Sequence, residues 1–363
     1  MRDFDPHEYA TDTADTPDAA VRIEGVSLRL GQTEVLRGID LTLKPGRVLA
    51  LLGPSGCGKT TVLRLVAGML APDCGRVTIR GAVVADGPSR RFVPPEHRGL
   101  GMVFQDYALW PHLSVARNVS FPLEMQRIPA KRRDAMTHAA LARVGLSAMA
   151  KRRPADLSGG QQQRVAIARA VVGGPGLVLF DEPLSNLDRE LREAMIDEIA
   201  GLVADLGLTA LYVTHDHAEA FSLAHEVAVM RAGRIEQIAA PEVLVDRPAT
   251  PDVARFLRLG ALLPVERAAQ GWCIAGGAVI APHDAAPAGS TQVLLAARSL
   301  RVGAAEDGAI HARVLRCLFR GDAHLATVRL AGGQTLQVPV SRRLDPGQAV
   351  GLRIAPSALR WFP

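Results

Sequence analysis

The sequence predicts an α/β domain followed by a small all-β domain, and three observations predict it. From Val21 to about Ala240, short apolar runs alternate with amphipathic helical segments, the order that builds a parallel sheet covered by helices. One of those runs opens into a glycine-rich loop, Gly53 to Gly58, with a helical segment behind it. From about Leu262 onward, strand-like segments alternate with turn signals, as in a small barrel.

The chain has 363 residues, of which 48% are hydrophobic and 22% charged. That accommodates one large domain or two ordinary ones, with enough apolar material for a core. Residues 1–20 form an acidic tail with Thr and Pro (Asp3, Asp5, Glu8, Asp12, Asp15, Asp18) that is expected to be disordered. It lacks the basic-then-apolar order of a signal peptide. No apolar run reaches the ~18–20 residues of a membrane-spanning helix. Cys57, Cys74, Cys273 and Cys317 have no metal-ligand spacing, which fits a reduced, cytosolic chain. A net charge of +5 and a sequence pI of about 9.3 suit nucleic acid, an anionic membrane surface, or simply a scattered basic surface.

Taken in order, Arg47–Gly53 reads as a buried strand and Lys59–Met69 as a helix. Gly176–Phe180 and Leu208–Thr214 are further buried strands, being short, apolar and bounded by turn residues. These fall in a domain spanning 21–240. Pro241, Pro248 and Pro251 punctuate a connecting region, 241–261, of short helical pieces. In the β domain, 262–363, Ala312–Phe319 and Ala323–Leu330 flank Arg320-Gly321-Asp322. Gly332-Gly333 leads to Gln334–Val340, and Asp345-Pro346-Gly347 precedes Val350–Ile354.

Gly53-Pro54-Ser55-Gly56-Cys57-Gly58-Lys59-Thr60 has phosphate-loop spacing and sits between a predicted strand and a predicted helix. Glycines let the backbone wrap a phosphate without Cβ clashes. The loop N–H groups and the helix N-terminus present positive potential to the anion. Lys59 adds a cation for the β- and γ-phosphates, and Thr60, which Thr61 follows, is expected to place its hydroxyl on Mg²⁺. Leu177-Val178-Leu179-Phe180-Asp181-Glu182 is an apolar strand ending in two acids. Alone it would be an ordinary solvated strand end. Beside a phosphate loop, Asp181 is expected to hold Mg²⁺ and Glu182 to orient the attacking water.

Leu157-Ser158-Gly159-Gly160-Gln161-Gln162-Gln163-Arg164 resembles the signature motif of ATP-binding-cassette (ABC) proteins. Further matches follow in that family's order. Phe104-Gln105-Asp106 resembles the Q-loop, Ser185-Asn186-Leu187-Asp188 the D-loop, and Thr214-His215-Asp216 the switch region. The resemblance covers nearly all of Val21 to Pro264 and implies a P-loop ATPase fold with ATP and Mg²⁺. It implies that Gln105 senses Mg²⁺ and the attacking water, and that His215 contacts the γ-phosphate. It also implies a homodimer in which Ser158, Gly159, Gly160 and Gln161 of one chain complete the ATP site of the other, with Asp188 at the interface. The family's adenine-stacking aromatic is replaced by Leu30 in Leu28-Arg29-Leu30-Gly31.

The C-terminal region resembles the transport-associated OB-type (TOBE) domain of importer ATPases, best over Ile310 to Pro363. Around Arg298 the usual Arg-Pro-Glu of such domains reads Arg298-Ser299-Leu300. This implies two permease subunits and indirectly a solute-binding protein. Tyr107-Ala108-Leu109-Trp110-Pro111-His112, directly after Gln105, is the expected docking segment: Trp110 there either packs into the core or lines a groove for a short permease helix. No nucleic acid is expected. The resemblance places the chain at the cytoplasmic face of the inner membrane, held by its permease. The solute is left open among iron(III), polyamines, organophosphonates and sugars. A soluble ABC ATPase acting on DNA or ribosomes, and a non-catalytic regulatory module, are the rival readings. Intact Lys59, Asp181, Glu182 and His215 argue against the second.

Overall fold

The structure, a computed structural model, describes residues 19–305, 310–321 and 323–363. The acidic tail through position 18, and Asp322 of the Arg320-Gly321-Asp322 turn, lie outside the described residues. The chain divides into two compact units, Met1–Pro241 and Glu242–Pro363.

In the first unit, β1 (Val21–Leu30) and β2 (Thr33–Leu43) form a hairpin. β3 (Val48–Leu52), buried at every position, leads through residues 53–58 into α1 (Lys59–Ala67). That helix stops two residues short of Met69. Gly68 turns left-handed (φ +83°) and the N–H groups of Gly68 and Met69 bond back to the carbonyls of Leu65 and Arg64, a glycine-terminated helix end. β4 (Cys74–Ile79), β5 (Ala82–Asp86) and β6 (Arg91–Phe92) extend the hairpin into an antiparallel sheet of order β2-β1-β4-β5-β6.

β7 (Gly101–Val103) is followed by α2 (Val115–Met125), α3 (Ala130–Arg143) and α4 (Gly159–Val171). These three helices pack on one another around Val119, Leu123, Leu141 and Val165. Then come β8 (Val178–Asp181), α5 (Arg189–Asp205), β9 (Ala210–Thr214), α6 (His217–Leu223), β10 (Glu226–Arg231) and β11 (Arg234–Ala239). The second sheet has the order β11-β10-β3-β9-β8-β7. All its pairings are parallel except β10 with β11. Because β3, β9 and β8 are adjacent and parallel, the segments after Leu52, Thr214 and Asp181 emerge at one sheet edge, where open parallel sheets bind ligands. α1 buries Val62, Leu63, Leu65 and Val66 in a core shared by both sheets.

The second unit begins with α7 (Pro241–Asp246) and α8 (Pro251–Phe256). β12 (Gly260–Ala268), β13 (Gly271–Ile274), β14 (Val279–Ala281) and β15 (Gln292–Ala296) follow, then β16 (Arg301–Gly303), β17 (Ile310–Phe319), β18 (His324–Leu330), β19 (Thr335–Val340), β20 (Ala349–Arg353) and β21 (Leu359–Phe362). They form two antiparallel sheets, β14-β13-β12-β15-β21 and β16-β20-β17-β18-β19. Both sheets feed one core around Val293, Leu295, Val328 and Leu352, consistent with a small OB-like domain. Arg298 has a structural use here. Its guanidinium pairs with Asp246, and Arg360 Nε donates to the Asp246 carbonyl at 2.6 Å, so both arginines hold α7 to the β domain.

Candidate active site

The loop after β3 is shaped by its glycines. Gly58 has φ +106°, and a Cβ there would lie 2.7 Å from Leu36 Cδ2, so only glycine fits. A Cβ on Gly53 would stand 2.3 Å from the Met230 carbonyl oxygen. Pro54, Ser55 and Gly56 are exposed at the top of the loop, whereas Cys57 is buried. Burial raises the Cys57 thiol above its ordinary pKa, which leaves it a poor nucleophile. Lys59 is buried, and its Nζ donates to the Gly53 and Pro54 carbonyls at 2.8 and 3.1 Å. The cation is thus curled over its own loop. Thr61 is half-buried one residue beyond Thr60.

Two side chains join this loop to the strand ends beside it. The Thr60 hydroxyl donates to Asp181 Oδ1 at 3.0 Å. Asp181 is buried, and that burial raises its carboxyl above the usual range, opposed by the Thr60 hydrogen bond and by the cations Arg64 and Lys59. Next to it Glu182 takes φ +46°, a backbone setting that costs about 1–3 kcal/mol and clusters at functional sites. Its Oε2 lies 3.0 Å from His215 Nδ1. An ionised carboxylate only accepts, so Nδ1 carries the proton in this pair. β9 lies between β3 and β8, and its end therefore delivers His215 between the phosphate loop and Glu182.

Gln105 and Asn186 are linked as well: Asn186 Nδ2 donates to the Gln105 carbonyl at 2.9 Å. Asp188 is the N-cap of α5, accepting from Leu191 N–H at 2.9 Å. Ser158 caps α4 in a reciprocal box. Its hydroxyl accepts from Gln161 N–H at 3.4 Å, and Gln161 Oε1 accepts from Ser158 N–H at 3.1 Å. That arrangement leaves Gly159 and Gly160 as the first-turn donors of the helix. Leu30 ends β1 with 47% of its surface exposed. It belongs to the same hairpin as Leu36, which abuts Gly58. The signature segment 158–161 has no hydrogen bond to the loop of its own chain among the described residues.

Sequence reasoning missed Arg169. From α4 this buried guanidinium donates to the carbonyls of Tyr107 and Ala108 at 2.7 and 2.5 Å. Tyr107 and Ala108 both have positive φ (62° and 46°), so Arg169 fixes a strained segment directly after Gln105. Trp110 is half-buried, 4.4 Å from the Phe121 ring, with Arg169 Cζ 5.1 Å from its own ring. It lines a cleft of about 540 Å³ with Ala108, Pro122, Gln126 and Arg169. Another missed residue is Arg98, buried without a carboxylate partner among the described residues. It donates to the Leu65 and Val66 carbonyls at the end of α1 and to Val93 and Val84, and desolvation draws its pKa down to about 10.

Mg²⁺ favours hard oxygen donors and is often bound by one or two protein oxygens plus substrate phosphates. The Thr60 hydroxyl and Asp181 carboxylate, hydrogen-bonded at the mouth of the loop, fit that donor set.

The family described as ABC transporter matches residues 36–185, and the TOBE domain family matches residues 295–362. The chain is 40% identical over 342 residues to the spermidine/putrescine import ATP-binding protein PotA 2 of Pseudomonas aeruginosa, covering 91% of this chain and 92% of that one. It is 49% identical over 240 residues to PotA of Nitratidesulfovibrio vulgaris, a match spanning 66% of this chain and 64% of the relative. Against the trehalose/maltose import ATP-binding protein MalK of Thermococcus litoralis it is 44% identical over 239 residues, 66% of this chain and 64% of the relative. Among solved structures, cbiO1 from Clostridium perfringens, part of the ABC transporter complex cbiONQ, matches with a TM-score of 0.58 and 29% identity. That match covers 67% of this chain and 96% of cbiO1.

Proposed function

The chain belongs to the ABC transporter ATP-binding family, as an importer-type subunit with a TOBE domain, and from that premise we propose how its residues split ATP to drive solute uptake. The observation that carries the proposal is the convergence of three strand ends, with Thr60 on Asp181 and Glu182 on His215, each at 3.0 Å. The loop N–H groups from Gly53 to Thr61 cradle the phosphates. Lys59 leaves the Gly53 and Pro54 carbonyls for the β- and γ-phosphates, a stronger, charge-assisted partner. Thr60, Asp181 and Gln105 would hold Mg²⁺, which would neutralise phosphate charge. Leu30 packs on the adenine.

Glu182 orients a water in line with the γ-phosphorus and accepts its proton as the water oxygen bonds to phosphorus and the β–γ bridging bond breaks. His215 holds Glu182 and reaches the γ-phosphate. The first-turn donors of α4, Gly159 and Gly160, with the capping side chains of Ser158 and Gln161 beside them, serve the nucleotide of a second copy, so two chains enclose two ATPs with Asp188 at their interface. The Asn186–Gln105 hydrogen bond ties that interface to the segment 107–112. There Trp110 and its cleft receive a short helix of one permease subunit, and the same cleft of the second copy receives that of the other. The chain is held at the cytoplasmic face of the membrane by these contacts. Among the described residues no helix is long and apolar enough to cross a membrane. Polyamines are the solute class to test first, because a relative matched over nine-tenths of both chains bears that name; sugars, iron(III) and organophosphonates come next, each delivered by a solute-binding protein.

The test is Glu182→Gln. It should keep Mg·ATP affinity, accumulate an ATP-bound dimer by size-exclusion chromatography, and lose about 10²-fold or more in turnover. Near-normal hydrolysis by the purified variant would remove Glu182 from the chemistry.

A further inference from the structure

The charge of the chain is unevenly distributed. Residues 111–153 hold nine Lys/Arg against two Asp/Glu, a net +7, while the whole chain is +5, so everything else sums to −2. The fold gathers this excess around the ends of α2. Arg127, Lys131 and Arg132, all exposed, stand where α2 ends and α3 begins. Lys151, Arg152 and Arg153, also exposed, are brought to the start of α2, because the N–H groups of Val115 and Ala116 donate to the Arg152 and Ala150 carbonyls at 2.8 and 2.9 Å. None of these six forms an ion pair with another described residue. Glu124, the acid on α2, is turned instead to Arg133 at 3.8 Å and the Ser120 hydroxyl at 3.2 Å. α2 spans about 16 Å at the helical rise and ends on Met125, which at 65% is the most exposed large apolar side chain among the described residues.

We propose that this face rests on anionic phospholipid headgroups, with the two basic trios on the phosphates and Met125 entering the interface. Clustered cations with no internal partner repel one another unless an anionic surface meets them. Juxtamembrane Lys and Arg are attracted to acidic lipid surfaces, and an apolar side chain among them adds burial at the boundary. A permease is the wrong occupant for the trios, because cytoplasmic loops of membrane proteins themselves carry excess Lys and Arg. Single-stranded nucleic acid calls for exposed aromatic platforms. The one aromatic in 111–153, Phe121, is half-buried against Trp110. The inference rests on the importer reading only for the nearness of a membrane.

The experiment is vesicle flotation of the full chain, without permease, on phosphatidylcholine vesicles with and without phosphatidylglycerol. Binding should require phosphatidylglycerol and fade as salt is raised. Lys131→Gln/Arg132→Gln and Lys151→Gln/Arg152→Gln should each lower the partition coefficient about thirtyfold, the scale of two juxtamembrane charges. Melting temperature and basal ATPase of both variants should match the parent. Met125→Ser should weaken binding without altering its salt dependence. Equal binding to both vesicle types, or unchanged binding by both double variants, overturns the proposal. So does tighter binding to a single-stranded oligonucleotide than to the anionic vesicles at equal ionic strength. None of these outcomes touches the ATPase assignment, which the Glu182→Gln test decides separately.

Discussion

The two units of the chain are stabilised in opposite ways. In the first, Lys59, Asp86, Arg98, Arg169, Asp181 and Glu219 are all buried charged residues, and Gln163 has an amide with neither atom bonded to protein. In the second unit the only buried polar residue among those described is Ser290, and the core is aliphatic apart from Trp272 and Phe362. Buried charges destabilise a fold unless each is matched by hydrogen bonds. In the ATPase unit each of these charges is matched by hydrogen bonds, so its fold depends on polar pairing that the β unit does without. Function is read from the first kind of interior, and the second reads as a packed module.

The sharpest break of this contrast is Asp181→Asn. Hydrolysis should fall by about 10³-fold, the scale of losing one preorganised charge in a site, as measured by phosphate release. The nucleotide-free protein should melt higher. The folded-state pKa of Asp181 is raised by burial, so its favourable, protonated state is fully present below the unfolded pKa and is lost as pH rises through the folded one. The stability gain of the Asn variant should consequently be near zero in acid and largest at neutral pH. A gain that shrinks toward neutral pH would reverse the assignment of burial as the dominant cause.

Arg169→Met comes next. It leaves the Tyr107 and Ala108 carbonyls without their donor and should cost about 3–4 kcal/mol by urea unfolding, with uncoupled ATPase activity in assembled transporter if the protein survives. In the second unit Leu352→Ala should cost about 3 kcal/mol, yet leave ATP affinity of the folded protein unchanged. A matching loss of ATP affinity would show that the β unit shapes the nucleotide site after all. The smallest effect is expected from Leu30→Tyr, which should tighten ATP by about 1 kcal/mol or a little more through stacking, and by less for a pyrimidine triphosphate, as measured by calorimetry.

The sequence exposes those parts of the site whose chemistry is local. A phosphate loop needs its glycines, lysine and threonine within eight consecutive residues, and Asp181 and Glu182 are adjacent, so spacing alone points to them. Strand order is not local: nothing between Val48 and Thr214 states that β9 lies between β3 and β8. Arg169, and the link of the D-loop residue Asn186 to Gln105, escaped for the same reason. Their partners lie 62 and 81 residues away, and an arginine in a helix gives no sign that it turns inward. Trp110 was legible as an aromatic that either packs or docks, and the structure gives it both a ring partner and a cleft. For the unpartnered amide of Gln163 the structure offers no account.

The placement of β3 at the centre of the parallel sheet also governs the birth of the protein. β3 pairs with β9 and β10, so Val48 must wait for Ala210 and later residues, about 160 residues that take roughly 8–30 s to synthesise at bacterial and eukaryotic elongation rates. During that interval a wholly apolar strand has both edges unpaired, the condition under which nascent chains aggregate. The antiparallel sheet β2-β1-β4-β5 is complete once residue 86 has been made, from the hairpins β1–β2 and β4–β5 and the pairing of β1 with β4, and it shares its core with Leu49 and Leu51. Beyond its part in the finished enzyme, that early sheet is placed to shelter one face of β3 on the ribosome until its partners arrive.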